Sequence, residues 1–244
     1  MPRPRRPDSE IQAVRDRILD AAADLFAETG WQGFSMRKLG TRLGIAAKTL
    51  YNYFDSQDEL YLGLLTRGFR GLNDALRAAV ASAGSPLDRL GALVDAYVAF
   101  AFAHANLYGL MFTWHVPKYN DYVGTASEQA ARVELEAALE NQRLAAQTIA
   151  ACASAPLSED DLRLITIRTW SQLHGYIAGV QNHLIDYMHP DPDSLRDRMV
   201  SLIKSSIAGE LAGLCRAVAA GEAVPASHAV RVNHAAAASP AAPN

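Results

Sequence analysis

Three observations predict an all-α chain. Apolar residues recur at helical spacing through most of its length, Ser, Asp and Pro stand where those periodic runs begin, and no stretch alternates as a strand would. Two unequal parts are expected: a compact three-helix unit over residues 9–56 and a larger helical body over 57–220. Residues 1–8 read as a basic arm kept non-helical by Pro2, Pro4 and Pro7, and 221–244, rich in Ala, Pro, Ser and His, as a disordered tail.

The N-terminal unit is justified element by element. Ile18, Ala21, Ala22, Leu25 and Phe26 draw one apolar stripe along a helix of about 9–29, which Gly30 stops. Met36, Leu39 and Leu43 repeat the spacing in a short second helix, Gly44 supplies the positive φ that ends it, and Ile45 packs into the crook. A third helix turns Leu50 and Phe54 inward at i, i+4 and leaves Lys48, Thr49, Tyr51, Asn52 and Tyr53 outward. That is the spacing of a helix-turn-helix, whose second helix enters the DNA major groove. Cationic and hydroxyl donors there suit phosphate, and the amide suits base edges. Asp55, Ser56, Asp58 and Glu59 then form a turn and an acidic helix start.

The body follows the same logic. Leu60, Leu64, Phe69, Leu72, Leu76 and Val80 mark a helix of 57–82. Ser85-Pro86 opens one of 86–104 carrying Leu90, Leu93, Val94, Tyr97, Val98 and Phe100. A short helix over 107–112, a loop over 114–124 and a long Ala- and Glu-rich helix over 126–153 come next. Ser158 caps a helix to about 186 and Asp193 a last one to about 219.

Composition narrows the function. The chain has 244 residues, half of them hydrophobic, enough for a sizeable core. It shows no uninterrupted apolar run long enough for a membrane span and no secretory signal, so a cytoplasmic protein is expected. Only Cys152 and Cys215 are present, which excludes a disulfide framework. The formal charge is −3, but residues 1–57 carry +2 and the remainder −5, so the positive end coincides with the helix-turn-helix. There is no G-x-S-x-G elbow, glycine-rich phosphate loop or H-E-x-x-H, so no enzyme activity, cofactor or metal is expected. His183, Asp186 and His189 read as surface helix-end residues, and Glu128, Glu134, Glu136 and Glu140 as a solvated helix face.

The string ILDAAADLFAETGWQGFSMRKLGTRLGIAAKTLYNYFDSQDEL resembles the DNA-binding domain of TetR-type transcriptional regulators. The resemblance implies a homodimeric, ligand-responsive repressor on a palindromic operator, with half-sites about one turn (roughly 34 Å) apart or somewhat more. Ser35, Lys48 and Tyr51 would then meet phosphates and Arg37, Thr49 and Asn52 base edges, with Lys38, Tyr53 and Gln57 on the same surface. Arg3, Arg5 and Arg6 would reach a minor groove. Two positions depart from the family pattern: Ala46 replaces the usual Ser or Thr cap of the recognition helix, and Gln57 replaces a phosphate-binding Lys. Both losses weaken the sequence-independent part of binding.

Residues 97–112 (YVAFAFAHANLYGLMF), with Trp170-Ser-Gln-Leu-His174-Gly175, resemble the C-terminal domain of the TetR subgroup marked by a Trp, His, Gly signature. This implies an effector-binding and dimerising all-α domain. The expected cavity wall is Tyr97, Phe100, Tyr108, Met111, Phe112 and Trp114, faced by Trp170 and His174 at i, i+4. A plain core role for these aromatics, and for His174 a hydrogen bond to another helix, stays open. The effector would be a small apolar or aromatic molecule. Gly175 and Gly179, and Gly209 and Gly213, are also spaced i, i+4, and each glycine inside a helix costs about 1 kcal/mol relative to alanine. They either face a dimer seam with Ile177, Met199, Leu202 and Leu211 or pack within one subunit. A DNA-binding dimer without effector, or a helical protein that has lost DNA affinity, are the alternatives.

Overall fold

The computed structural model describes residues 7–113 and 116–219, and every regular element among them is helical. Arg3, Arg5, Arg6, Trp114 and the tail over 221–244 lie outside the described residues.

Helix α1 (Asp8–Gly33) starts after Pro7 with Asp8 and Glu10 in its first turn. Gly30, at φ 66°, breaks it, and one further turn runs to Gly33. Its buried stripe is Ile18, Leu19, Ala22, Leu25 and Phe26. In α2 (Met36–Leu43), Ser35 caps the start by accepting the Lys38 amide at 3.2 Å, and Gly44 ends it in the left-handed region (φ 68°, ψ 26°). Helix α3 (Ala47–Leu50) has only four residues. Tight bonds from the Asn52 amide to Thr49 O (3.2 Å) and the Tyr53 amide to Leu50 O (2.9 Å) carry the turn on to Phe54. Leu50 and Phe54 are buried, as the spacing predicts.

Helix α4 (Gln57–Ser82), capped by Ser56, joins the two parts. Near its start, Tyr61 lies edge-on to Phe26 and Trp31, with centroids 5.9 and 4.6 Å away. Arg67 ties the same helix to α1 through Asp20 (2.8 Å). Farther along it enters the body. Helix α5 (Pro86–Ala103) begins with a capping box between Ser85 and Asp88. Helix α6 (Ala105–Tyr108) runs directly into a π turn, Gly109–Thr113. Leu107 and Met111 ride on α4 at Gly68, where a Cβ would meet Met111 Sδ at 2.8 Å.

The short α7 (Tyr119–Tyr122) lies within the predicted loop, and α8 (Glu128–Ala150) runs along α4. Asn73 on α4 pins the pair by donating to Ala137 O at 2.9 Å. Helices α9 (Glu159–Gln181) and α10 (Arg196–Ala219) pack on α5 and on each other. The helix predicted to reach 186 ends five residues sooner. His183 adopts φ 58°, and the chain continues through the 3₁₀ turns Ile185–Tyr187 and Asp193–Leu195. No single helix among the described residues is long and apolar enough to cross a membrane; α5 and α6 pass only as a pair bent through 103°.

Candidate nucleic-acid interface and internal cavity

The N-terminal unit presents α3 because two contacts hold it from behind. Gly40 lets α2 approach the next turn: a Cβ there would sit 2.8 Å from Ile45 O and 3.1 Å from the Ala47 amide. Arg15 reaches across from α1, donates to the Tyr53 carbonyl, pairs with Glu59 at 3.4 Å and lies over the Phe54 ring at 4.1 Å. One guanidinium thus ties the end of α3 to the start of α4. Neither residue stood out in the sequence, since a glycine inside a helix and a lone arginine on another carry no local signature.

Around this support, Arg37, Lys38, Lys48, Tyr51 and Asn52 are exposed, and Ser35, Thr49 and Gln57 are half-buried. Among the described residues, no acidic side chain lies within ion-pair distance of Arg37 or Lys48. Arg42, by contrast, is held by Glu28 at 2.7 Å. Lys38 turns back on its own chain and donates to Gly33 O at 2.7 Å. Ser35 accepts an amide but keeps its hydroxyl proton to give. Tyr53 departs from the outward expectation: it is half-buried against the core, because the tightened turn after Leu50 rotates it inward. Ala46 occupies the cap position of α3 with no side-chain bond, as its methyl dictates.

The body holds a cavity of about 300 Å³ bounded by α4, α5, α8, α9 and the π turn. Tyr97, Phe112 and Trp170 line it. Tyr108 and His174 stand behind them rather than on the wall. Trp170 Nε1 donates to Tyr97 Oη at 3.1 Å, Tyr97 and Tyr108 hydroxyls are 3.0 Å apart, and Tyr108 Oη is 2.8 Å from His174 Nδ1. Burial lowers the His174 pKa, which favours the neutral imidazole, and these contacts link α5, α6 and α9. Burial likewise pushes the Tyr97 hydroxyl up to about 12 and raises Tyr108, keeping both protonated.

Phe100 and Met111 are not on the wall. Phe100 faces His104 and Gly71, and Met111 fills the space left by Gly68. The opposite wall went unread in the sequence: Phe69 and Leu76 of α4, Ala138, Asn141, Gln142 and Ala145 of α8, and Thr166, Ile167 and Thr169 of α9. Its one signal is the i, i+3, i+4, i+7 spacing of small and amide residues on α8, a face too small to fill a core.

The outer faces of α9 and α10 carry exposed Leu164, Ile167, Trp170 and Leu202. Gly175 and Gly209 are exposed too, and a Cβ at either, or at Gly213, would meet nothing within 4 Å. Met199 is half-buried beside them. Three residues assigned to a seam belong elsewhere. Ile177 and Leu211 are buried in their own chain's core, and a Cβ on Gly179 would sit 3.1 Å from the Ile185 side chain. The helical period carries these three to the inner side.

One further reading changes. Glu134 is half-buried rather than solvated, and desolvation pushes its carboxyl up to about 7 despite nearby Lys118. The Cys152 thiol donates to Thr148 O at 3.3 Å, and burial raises its pKa, the opposite of a reactive thiolate. His183 and Asp186 form an exposed pair at 3.0 Å.

Residues 18–64 match the family model described as bacterial regulatory proteins, tetR family, and residues 90–203 match a tetracyclin repressor-like C-terminal domain. The chain belongs to the TetR family. Among curated relatives of this TetR-family chain is the HTH-type transcriptional activator FasR of Mycolicibacterium smegmatis, 32% identical over 121 residues, which are 50% of this chain and 52% of FasR. Another is the HTH-type transcriptional repressor KstR2 of Mycobacterium tuberculosis, 33% identical over 100 residues, 40% of this chain and 50% of KstR2. The chain therefore spans about half the length of these relatives. The fold is shared with the transcriptional regulator FadR from Bacillus subtilis, solved with stearoyl-CoA: TM-score 0.57, 15% identity, covering 77% of this chain and 96% of that one. The C-terminal match is to the broader domain and does not single out a Trp, His, Gly subgroup.

Proposed function

We propose that this protein is a homodimeric, ligand-responsive DNA-binding regulator, acting as a repressor on a two-fold operator. The observation that carries the reading is the face made by α2 and α3. Arg37 and Lys48 stand there exposed, without an ion-pair partner among the described residues, beside Tyr51 and Asn52, on an element too short to be stable without the Gly40 and Arg15 contacts behind it. A four-residue helix braced so firmly and left bare outward suits insertion into a groove. Lys48, Tyr51 and the Ser35 hydroxyl would meet phosphate oxygens, and Arg37, Thr49 and Asn52 base edges. Repression is the direction shared with KstR2, while FasR is named an activator, so the sign is a separate measurement.

Self-association through α9 and α10 would pair two such faces and cover Leu164, Ile167 and Leu202. A ligand in the cavity touches Phe112 of the π turn and Phe69 of α4. The same turn presses α4 at Gly68 through Met111, and α6 also meets α1. Occupancy would therefore act on the two helices that carry the DNA-binding face. It shifts affinity only by the ligand's preference for one arrangement over the other.

The test is fluorescence anisotropy with DNA from upstream of the gene, across a salt series. Specific binding with a steep salt slope is expected. Lys48→Ala should weaken binding to all sequences and reduce the slope by about one. Absence of binding at low salt would overturn the reading, and an unaltered slope would remove Lys48 from the phosphate contacts.

A further inference from the structure

The cavity's polar atoms point to a specific chemical class of ligand. The other buried threonines of the body satisfy themselves within their own helix, Thr166 on the cavity wall included: Thr66 donates to Leu62 O at 2.7 Å, Thr148 to Leu144 O at 2.8 Å and Thr166 to Leu162 O at 2.7 Å. Thr169 does not. It is only 5% exposed, it lines the cavity, and its Oγ1 has no partner among the described residues. On α8, Asn141, which also lines the cavity, shares this condition. Its Nδ2 faces Ala137 O at 3.4 Å, which leaves Oδ1 buried, unpartnered and on the lining. Leaving such groups unmatched costs about 1–3 kcal/mol each, so two on one apolar wall imply something that matches them.

What matches them is constrained on both sides. Asn141 Oδ1 only accepts, and Thr169 Oγ1 can give its proton, so a ligand must offer a proton to the first or an acceptor to the second, and one polar group type has both capacities. A hydroxyl is that group. None of the described residues lining the cavity is charged: the wall is Phe, Leu, Ile, Ala, Tyr, Trp, Thr, Asn and Gln. An ionised carboxylate or phosphate drawn in among these residues would find no cation to pair with it. The volume of about 300 Å³ is at the lower end for ligand pockets.

We infer that the cavity takes a small, uncharged, largely apolar molecule bearing one hydroxyl, read by Asn141 and Thr169. This rests on the ligand-responsive reading above and names the ligand's chemistry. It sets the site apart from one that would draw a charged head group into the body.

Three probes of equal chain length separate the possibilities by isothermal titration and thermal shift on the full chain: 1-octanol, octyl methyl ether and octanoate. Octanol should bind, the ether, which accepts but cannot donate, about tenfold more weakly, and octanoate not at all. Asn141→Leu should weaken octanol about tenfold and leave the ether unchanged. Thr169→Val should weaken both, and Thr169→Ser should restore them. Circular dichroism checks that each variant folds, and the serine rescue separates a lost hydroxyl from a lost shape. Octanoate binding as well as octanol, or variants that change nothing, would overturn the hydroxyl proposal while leaving a ligand pocket in place. No binding by any probe would instead remove the ligand-responsive reading itself.

Discussion

The proposed DNA-binding face and the cavity are built on opposite plans. The face comes from about twenty consecutive residues, fixed by a cap at Ser35, a left-handed Gly44 and the inward pair Leu50 and Phe54, and its working side chains point away from the molecule. The cavity comes from five segments spread between Phe69 and Leu173, and its lining residues are far apart in sequence. A face made locally fails locally, whereas a cavity made from distant helices shares its damage with the core around it.

The largest effect should come from breaking the face at its tightest point. Gly40→Ala places a methyl 2.8 Å from one backbone atom and 3.1 Å from another, neither of which can yield cheaply. An overpacking cost of about 1–3 kcal/mol predicts a drop in DNA affinity of about 10- to 100-fold, with octanol binding in the body retained. If both activities fell together, the two regions would not be separable. The matching break in the body is Tyr108→Phe, which strips the hydroxyl between Tyr97 and His174. Urea unfolding should show a loss of about 1–3 kcal/mol, with DNA affinity of the folded protein little changed.

Arg15→Met keeps the stem over Phe54 but removes the donor to the Tyr53 carbonyl and the Glu59 pair. A cost of about 1 kcal/mol at this half-exposed clasp predicts DNA binding weakened about fivefold. The smallest effect concerns Glu134, on the face of α8 that meets α7 and α4. Its folded pKa of about 7 lies above the ordinary carboxylate value, so the native state holds its proton more tightly than the unfolded chain does. Stability is therefore fully present below the ordinary value and is lost as pH rises towards 7. Glu134→Gln should flatten that part of the pH–stability curve and add about 1 kcal/mol at pH 8, after allowance for partial solvation.

The same contrast explains what the sequence made legible. Helix limits at 57–82 and 86–104 and the stop at Gly44 were readable because caps, prolines and apolar period act within a few residues of where they are written. Aromatic content drew the cavity wall onto 97–114, yet Phe100 and Met111 proved to be filler for Gly71 and Gly68. Composition signals burial but not which void a ring borders. Thr169 and Asn141 were invisible for the same reason: a missing hydrogen bond is a property of the assembled fold. Ile177, Gly179 and Leu211 were misplaced because i, i+4 spacing defines a helical face without saying which neighbour that face meets.

Helix α4 has a mechanical consequence. Twenty-six residues without a break make a rod of about 39 Å, its near end packed beneath the reading surface and its middle forming part of the cavity wall. Tilting such a lever by about 5° sweeps its tip through about 3 Å. In a two-fold assembly that motion would be mirrored, so the gap between paired tips would open or close by roughly twice as much, more than the rise of about 3.4 Å from one phosphate to the next along a strand.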